Sequence, residues 1–213
     1  MTLQFWALRD NLATANGDET LFEHTNVLKL VYAQSTYDYL NVYALGQTSS
    51  SYTQTLQIPY NLWLFFTITL NPTSMNIVVY DYKKTTIFQT SNTYTSSWSS
   101  SADANVKIGN NYKGYIKGMK YFKATLLDTS AYDMGFSYET SPSNLFYFLL
   151  QSVGYSSQKK QFINLSMTNS DSYLSLSSSS TPKFTTAYFR ATGDTTTEYG
   201  TLSQTINYDG YAC

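Results

Sequence analysis

Leu62-Trp63-Leu64-Phe65-Phe66-Thr67-Ile68-Thr69-Leu70 stops at Asn71-Pro72-Thr73-Ser74, and Met75-Asn76-Ile77-Val78-Val79-Tyr80-Asp81 follows. Both runs are apolar, dominated by β-branched and aromatic side chains, and too short for a helix of ordinary length. Asn, Pro and Ser between them are turn formers, and proline cannot continue a sheet ladder. The first run is the strongest apolar strand in the sequence. The second continues through Tyr82 and pairs with Thr85–Gln89 across Lys83-Lys84, so this stretch predicts an antiparallel hairpin.

The same signals recur outward at about 8–12 residues, the spacing of sandwiches and barrels. Upstream, alternation predicts strands at Leu3–Leu8, Glu19–His24, Val27–Tyr32, Tyr39–Leu45 and Thr53–Ile58, with a turn at Asn16-Gly17-Asp18. Downstream, Ser91–Ala104 reads as a polar loop, and Val106–Gly109 is expected to pair with Tyr115–Phe122 across Asn110–Gly114. Thr125–Met134 fits one short helical turn capped by Asp128 or Ser130. Ser137–Ser143, with Pro142, reads as a linker. Further strands are expected at Leu145–Gln151, Phe162–Met167, Tyr173–Leu176 and Phe184–Arg190, with weak strand character around Leu202–Tyr208. The run Ser177–Thr181 is low-complexity and reads as a loop. The fold class is all-β, an antiparallel sandwich.

Composition narrows the function classes. The chain has 213 residues, 17% of them aromatic and 13% charged, against roughly 25% charged in an average domain. Ser and Thr make up about a quarter of it. Hydroxyls and tyrosines in place of Lys and Glu are typical of extracellular and cell-surface β-proteins. The net charge of −1, with 13 scattered Lys and Arg, argues against a nucleic-acid partner, which needs clustered cations. Lys113, Lys117, Lys120 and Lys123 read as a solvated strand face. The longest apolar runs, Leu62–Phe66 and Phe146–Leu150, are too short to span a bilayer, so no membrane insertion is expected. Met1–Trp6 lacks the pattern of a secretory signal. Cys213 is the single cysteine, which rules out an internal disulfide and suggests an intermolecular bridge or a chain cut from something longer.

Catalytic groups are sparse. Glu19 and Glu23 share a strand face by period-2 alternation but lie about 13 Å apart along it, too far for a retaining glycosidase pair at about 5–5.5 Å. His24, the single histidine, reads as a plain strand-end residue, and no nucleophile elbow accompanies it. One His and one Cys cannot make a zinc site. The chain is expected not to be an enzyme. Tyr94 and Trp98 lie in a polar loop and Tyr112 stands beside Asn110 and Asn111, so these three are the candidate carbohydrate platforms. Trp6 and Trp63 are expected in the core. Asn164-Leu165-Ser166 is a candidate N-glycosylation sequon at Asn164.

Four segments together resemble the laminin-G/concanavalin A-like lectin family of jelly rolls. Leu3–Leu8 resembles its early strand ending in Trp, and Leu62–Ile68 its "W-x-x-v-a-v-t" strand. Met75–Asp81 resembles the "l-x-l-Y-v-D/N-G" strand, and Val106–Gly109 with Gly114–Phe122 the closing "v-x-i-G … f-x-G-x-i-x-d-v-r-i-y" signature. The glycine of the "D/N-G" turn is replaced by Asp81-Tyr82-Lys83-Lys84. The resemblance implies a laminin-G-like core over residues 1–136. Residues 137–213 then form a β-rich segment in which Asn144–Leu150, Phe162–Ser166 and Tyr173–Leu176 resemble the family's opening strands, written last. Circular permutation, a slice of a tandem array, and completion of a neighbouring molecule all give that order. In the third case Leu145, Phe146, Tyr147, Phe148, Leu149 and Leu150 are the strand-exchange candidates, because open sheet edges template pairing. The family also implies a calcium site, for which no Asp here can be matched as a ligand, so no cofactor is assigned. The expected function is a non-catalytic extracellular or cell-surface structural module. Self-association or neighbouring domains are its expected partners and β-strand exchange into a filament its expected mode; a carbohydrate-binding module is the alternative.

Overall fold

A computed structural model describes residues 1–10, 18–25, 27–33, 39–44, 53–71, 73–93 and 106–122 in full. It also describes the backbone of seven short strands beyond them. The strands are β1 (Thr2–Arg9), β2 (Glu19–His24), β3 (Leu28–Tyr32), β4 (Tyr39–Ala44), β5 (Thr53–Gln57), β6 (Leu64–Asn71), β7 (Ser74–Tyr80), β8 (Thr86–Thr93), β9 (Val106–Asn110) and β10 (Gly114–Phe122). The later ones are β11 (Asn144–Phe148), β12 (Tyr155–Ser156), β13 (Gln161–Ile163), β14 (Tyr173–Leu176), β15 (Lys183–Phe184), β16 (Phe189–Ala191) and β17 (Gly200–Leu202). No helix occurs among the described residues. The helical turn expected at Thr125–Met134 lies outside them.

Two antiparallel sheets form a β-sandwich. In the first, β8-β7-β6-β1-β10 run in that order, and β10 carries β11 and the β16-β15 hairpin on its far edge. In the second, β5-β4-β3-β2-β9 are followed by β17, β14, β13 and β12. Both sheets therefore cross the sequence boundary near residue 136, and the strands beyond it extend β9 and β10 of the same chain. The single strand expected at Phe184–Arg190 is instead two short strands paired Lys183 to Arg190 and Phe184 to Phe189.

Period-2 alternation places the core. Leu3, Phe5 and Ala7 of β1 meet Leu64, Phe66, Ile68 and Leu70 of β6 and Met75, Ile77 and Val79 of β7 on the inner face. Leu28, Leu30, Leu40, Val42 and Ile108 face them from the second sheet. The rings of Phe5 and Phe66 stack with centroids 4.9 Å apart. Outward-pointing Gln4, Phe65, Thr67, Thr69 and Phe122 on the first sheet are buried as well. So is Lys120, at 1% exposure. The lysines of β10 are thus not a solvated stripe.

Two bulges reset the alternation. Gly118, at φ +57°, and Met119 together face Phe5, so β10 carries one residue more than β1 there. Leu21 is the extra residue of β2 against β3, because Thr20 pairs with Val31 and Phe22 with Leu30. Residues opposite one another share a face, so Glu19 shares the inward face of Tyr32 while Glu23 stands opposite Lys29 and Lys107 on the other. The two glutamates expected on one face are on opposite faces.

The β7–β8 hairpin forms as expected and runs on to Thr93, into what alternation read as loop. Asp81 Oδ1 accepts the Lys83 and Thr85 amides, both at 2.8 Å, and Lys84 takes φ +68°. Asp81→Ala removes the one acceptor of both bonds and should lower stability by about 1–2 kcal/mol. Urea denaturation measures this, and an unchanged midpoint would show that the turn is held by its backbone alone.

Candidate functional site

Three connections pass between the sheets at one end of the sandwich: β1 to β2, β5 to β6, and β9 to β10. Alternation expected β9 and β10 to pair with each other. They lie instead in different sheets, and Asn111-Tyr112-Lys113 is an arch between them. Asn111, at φ +55°, makes the bend, a conformation asparagine tolerates better than most residues.

Arg9 closes β1 and Glu19 opens β2, so the pair straddles the first crossing. Arg9 Nη2 donates to Glu19 Oε1 at 3.0 Å and Nε to Oε2 at 3.4 Å, with both side chains almost fully buried. Glu19 Oε2 also accepts the Lys113 amide of the third crossing at 3.2 Å. The Arg9 carbonyl accepts the Asn61 amide of the second crossing at 2.8 Å, and Asp10 donates to the Lys113 carbonyl at 3.1 Å. The guanidinium lies 3.9 Å from the Tyr32 ring centre and 5.1 Å from that of Tyr60, and Tyr112 stacks on Tyr32 with centroids 6.3 Å apart. Burial alone would lower the Arg9 pKa; the hydrogen bonds and charge of Glu19 override it and raise it. Both carboxylate oxygens are engaged, so the arrangement fixes three crossings. An open depression of about 470 Å³ lined by Gln57, Ile58, Pro59 and Tyr60 adjoins it.

Burial raises the pKa of both Tyr32 and Tyr112, most strongly through desolvation of the phenolate. A folded pKa above the ordinary value of about 10 means that the unfolded chain loses these protons first. Their contribution is therefore intact below pH 10 and falls as pH rises above it. Denaturation midpoints should drop steeply above about pH 10, less steeply in Tyr32→Phe, with the ionisation of the buried tyrosines appearing together with unfolding. Ionisation of every tyrosine near pH 10 without loss of structure would contradict this.

At the opposite end of the sandwich His24 is buried, its Nδ1 lying 2.8 Å from the Tyr121 hydroxyl, which also contacts Met1 Sδ. His24 is thus a core histidine packed edge-on against Tyr121.

On the outer face of the first sheet Trp6 and Trp63 are half-exposed and not in the core. Trp6 stands opposite Lys117 on β10 and Phe65 on β6. The Lys117 ammonium lies 5.4 Å from the Trp6 ring and 4.6 Å from the Trp63 ring, and Tyr115 flanks Trp63 at 6.3 Å. Burial against these rings lowers the Lys117 pKa. The patch offers half-exposed aromatic faces around one amine, a surface on which a ring-shaped ligand can stack.

Among the described strands, β8 and β5 end the two sheets on one side of the sandwich, tied by an Asn92 to Gln54 hydrogen bond across the gap. Neither strand contains a charged residue or a proline. β8 is exposed or half-exposed along its whole length, and Ile87 is 39% exposed.

Of the residues singled out in the sequence, Tyr112 is 1% exposed and covered by Tyr32, so its ring is not presented to a sugar. Tyr94, Trp98, Asn164, Leu149 and Leu150 lie outside the described residues. The backbone of Leu145–Phe148 belongs to β11, whose partner is β10 of the same chain. No group of His, Cys, Asp and Glu side chains among the described residues is arranged to hold a metal. Arg9, Glu19 and Lys117 were missed, since strand alternation says nothing about which distant strands share an end. Against known families, curated proteins and solved structures, the chain has no match.

Proposed function

We propose that this chain is a non-catalytic structural and adhesive module of the extracellular or cell-surface space, a laminin-G-like sandwich in rotated strand order that associates through its sheet edges. The observation that carries this is the uncharged side wall formed by β8 and β5. Sheet edges that must stay single are protected by lysines, prolines or bulges along the strand. β8 has only a register shift at its start, beside the turn. Low charge and abundant hydroxyls support the same reading. β11 pairs with β10 of its own chain, which favours the β8/β5 wall over strand exchange as the route of association. The purified chain should sediment as an associated species that dissociates on dilution. A monomer at every concentration would overturn the proposal, as would labelling by antibody only after cells are permeabilised.

A carbohydrate-binding module is the second reading, favoured by Trp6, Trp63, Tyr115 and Lys117. A glycan array should then give binding that Trp63→Ala abolishes. Binding unchanged by that substitution, or none, would end it.

A further inference from the structure

We infer that β8 is the joint between two copies of this chain, paired antiparallel about a two-fold axis normal to the first sheet. This deepens the edge-association reading and rests on it. One observation is electrostatic. Self-pairing brings any charge near the axis against its own copy, and Thr86–Thr93 contains none. Its Thr, Ser, Asn and Gln side chains can exchange hydrogen bonds with their own kind across the joint.

The other observation is topological. Among the described strands the first sheet ends at β15 and β8. β15 is two residues long and carries Lys183, whereas β8 is eight residues long and uncharged. A strand that pairs with its own copy about a two-fold axis uses the same surface on both partners and gives a closed pair.

Geometry then restricts the register. An axis normal to the sheet keeps the inner face of each copy on the same side, so paired residues must have the same parity. The axis therefore falls on a residue, and only Gln89 or Thr90 brings most of β8 into contact. An axis at Gln89 sets Ile87 opposite Ser91 of the other copy; an axis at Thr90 sets Ile87 opposite Thr93. Residues on the axis have Cα atoms about 4.5–5.5 Å apart, inside the range a disulfide bridges.

The test uses the whole chain with Cys213→Ser. Sedimentation should give a dimer, and oxidation should crosslink either Gln89→Cys or Thr90→Cys to its copy. Ile87→Lys with Gln89→Lys, both at exposed positions, should raise the dissociation constant at least about tenfold, with circular dichroism and melting temperature reporting that the fold is retained. Association without crosslinking at either position overturns the β8 joint but leaves edge association standing. Species larger than a dimer overturn the closed two-fold. A monomer, with β8 amides protected from exchange because the chain covers its own edge, overturns both.

Discussion

Gly114→Ala should destabilise the protein by more than about 4 kcal/mol, enough to unfold a domain of ordinary stability. Gly114 has φ +153°, and a Cβ there would lie 2.1 Å from the Leu8 carbonyl oxygen and 3.0 Å from the Arg9 Cα. The obstacles are backbone atoms of β1, held in register by Leu8 opposite Tyr115 and Arg9 opposite Gly114. They cannot withdraw without opening the ladder beside the buried ion pair. Gly118 is the internal comparison: its φ is +57°, but among the described residues its Cβ would meet nothing nearer than Trp6 Cδ1 at 3.9 Å. Gly118→Ala should therefore cost only the backbone term, about 1–2 kcal/mol. Urea midpoints at unchanged m-value measure both. Equal costs at the two glycines would refute the close approach of β1 to β10.

Glu19→Gln should cost about 3–5 kcal/mol although it preserves shape, because it takes the charge of Glu19 away from a buried guanidinium. The amide oxygen can still accept the Lys113 N–H, so the loss isolates charge from hydrogen bonding at that arch. Replacing both partners, Arg9→Met with Glu19→Leu, should recover most of the loss, since two apolar side chains leave no stranded charge. The double-mutant cycle gives the coupling. If Glu19→Gln is neutral, water reaches Arg9 and the crossings are held by backbone bonds alone. If the double replacement is as poor as the single one, packing against Tyr32 and Tyr60 carries the energy.

Strand positions were legible because one property, alternation over a half-buried surface, marks each strand locally. Glu19–His24 and Tyr173–Leu176 match residue for residue. Trp6 shows the limit of treating a large apolar residue as core by default. Leu3, Phe5 and Ala7 point inward, so the intervening Trp6 points outward whatever its hydropathy. Other misses have causes that no local pattern carries. A three-residue link such as Asn111–Lys113 joins a hairpin or an arch equally well, and the difference lies in which strands pair at a distance. One extra residue at Leu21 reverses the face of what lies beyond it, which separated Glu19 from Glu23. The Arg9–Glu19 pair follows from both reversals together and could not be read from spacing.

The place of β1 in the first sheet has a consequence during synthesis. Its two ladders are made with Leu64–Asn71 and Gly114–Phe122, so the earliest of these strands must wait for partners far downstream. At about 5–20 residues per second of translation, the second ladder is out of reach for roughly 5–20 s after β1 itself is made. The β2–β5 meander and the β6–β8 meander, whose partners are adjacent in sequence, can form meanwhile. Until Leu64–Asn71 is made, roughly 3–12 s at the same rate, a strand of Leu, Phe, Trp and Ala has no native sheet to join, which makes it the segment for a chaperone to hold and the place where newly made chains would first aggregate.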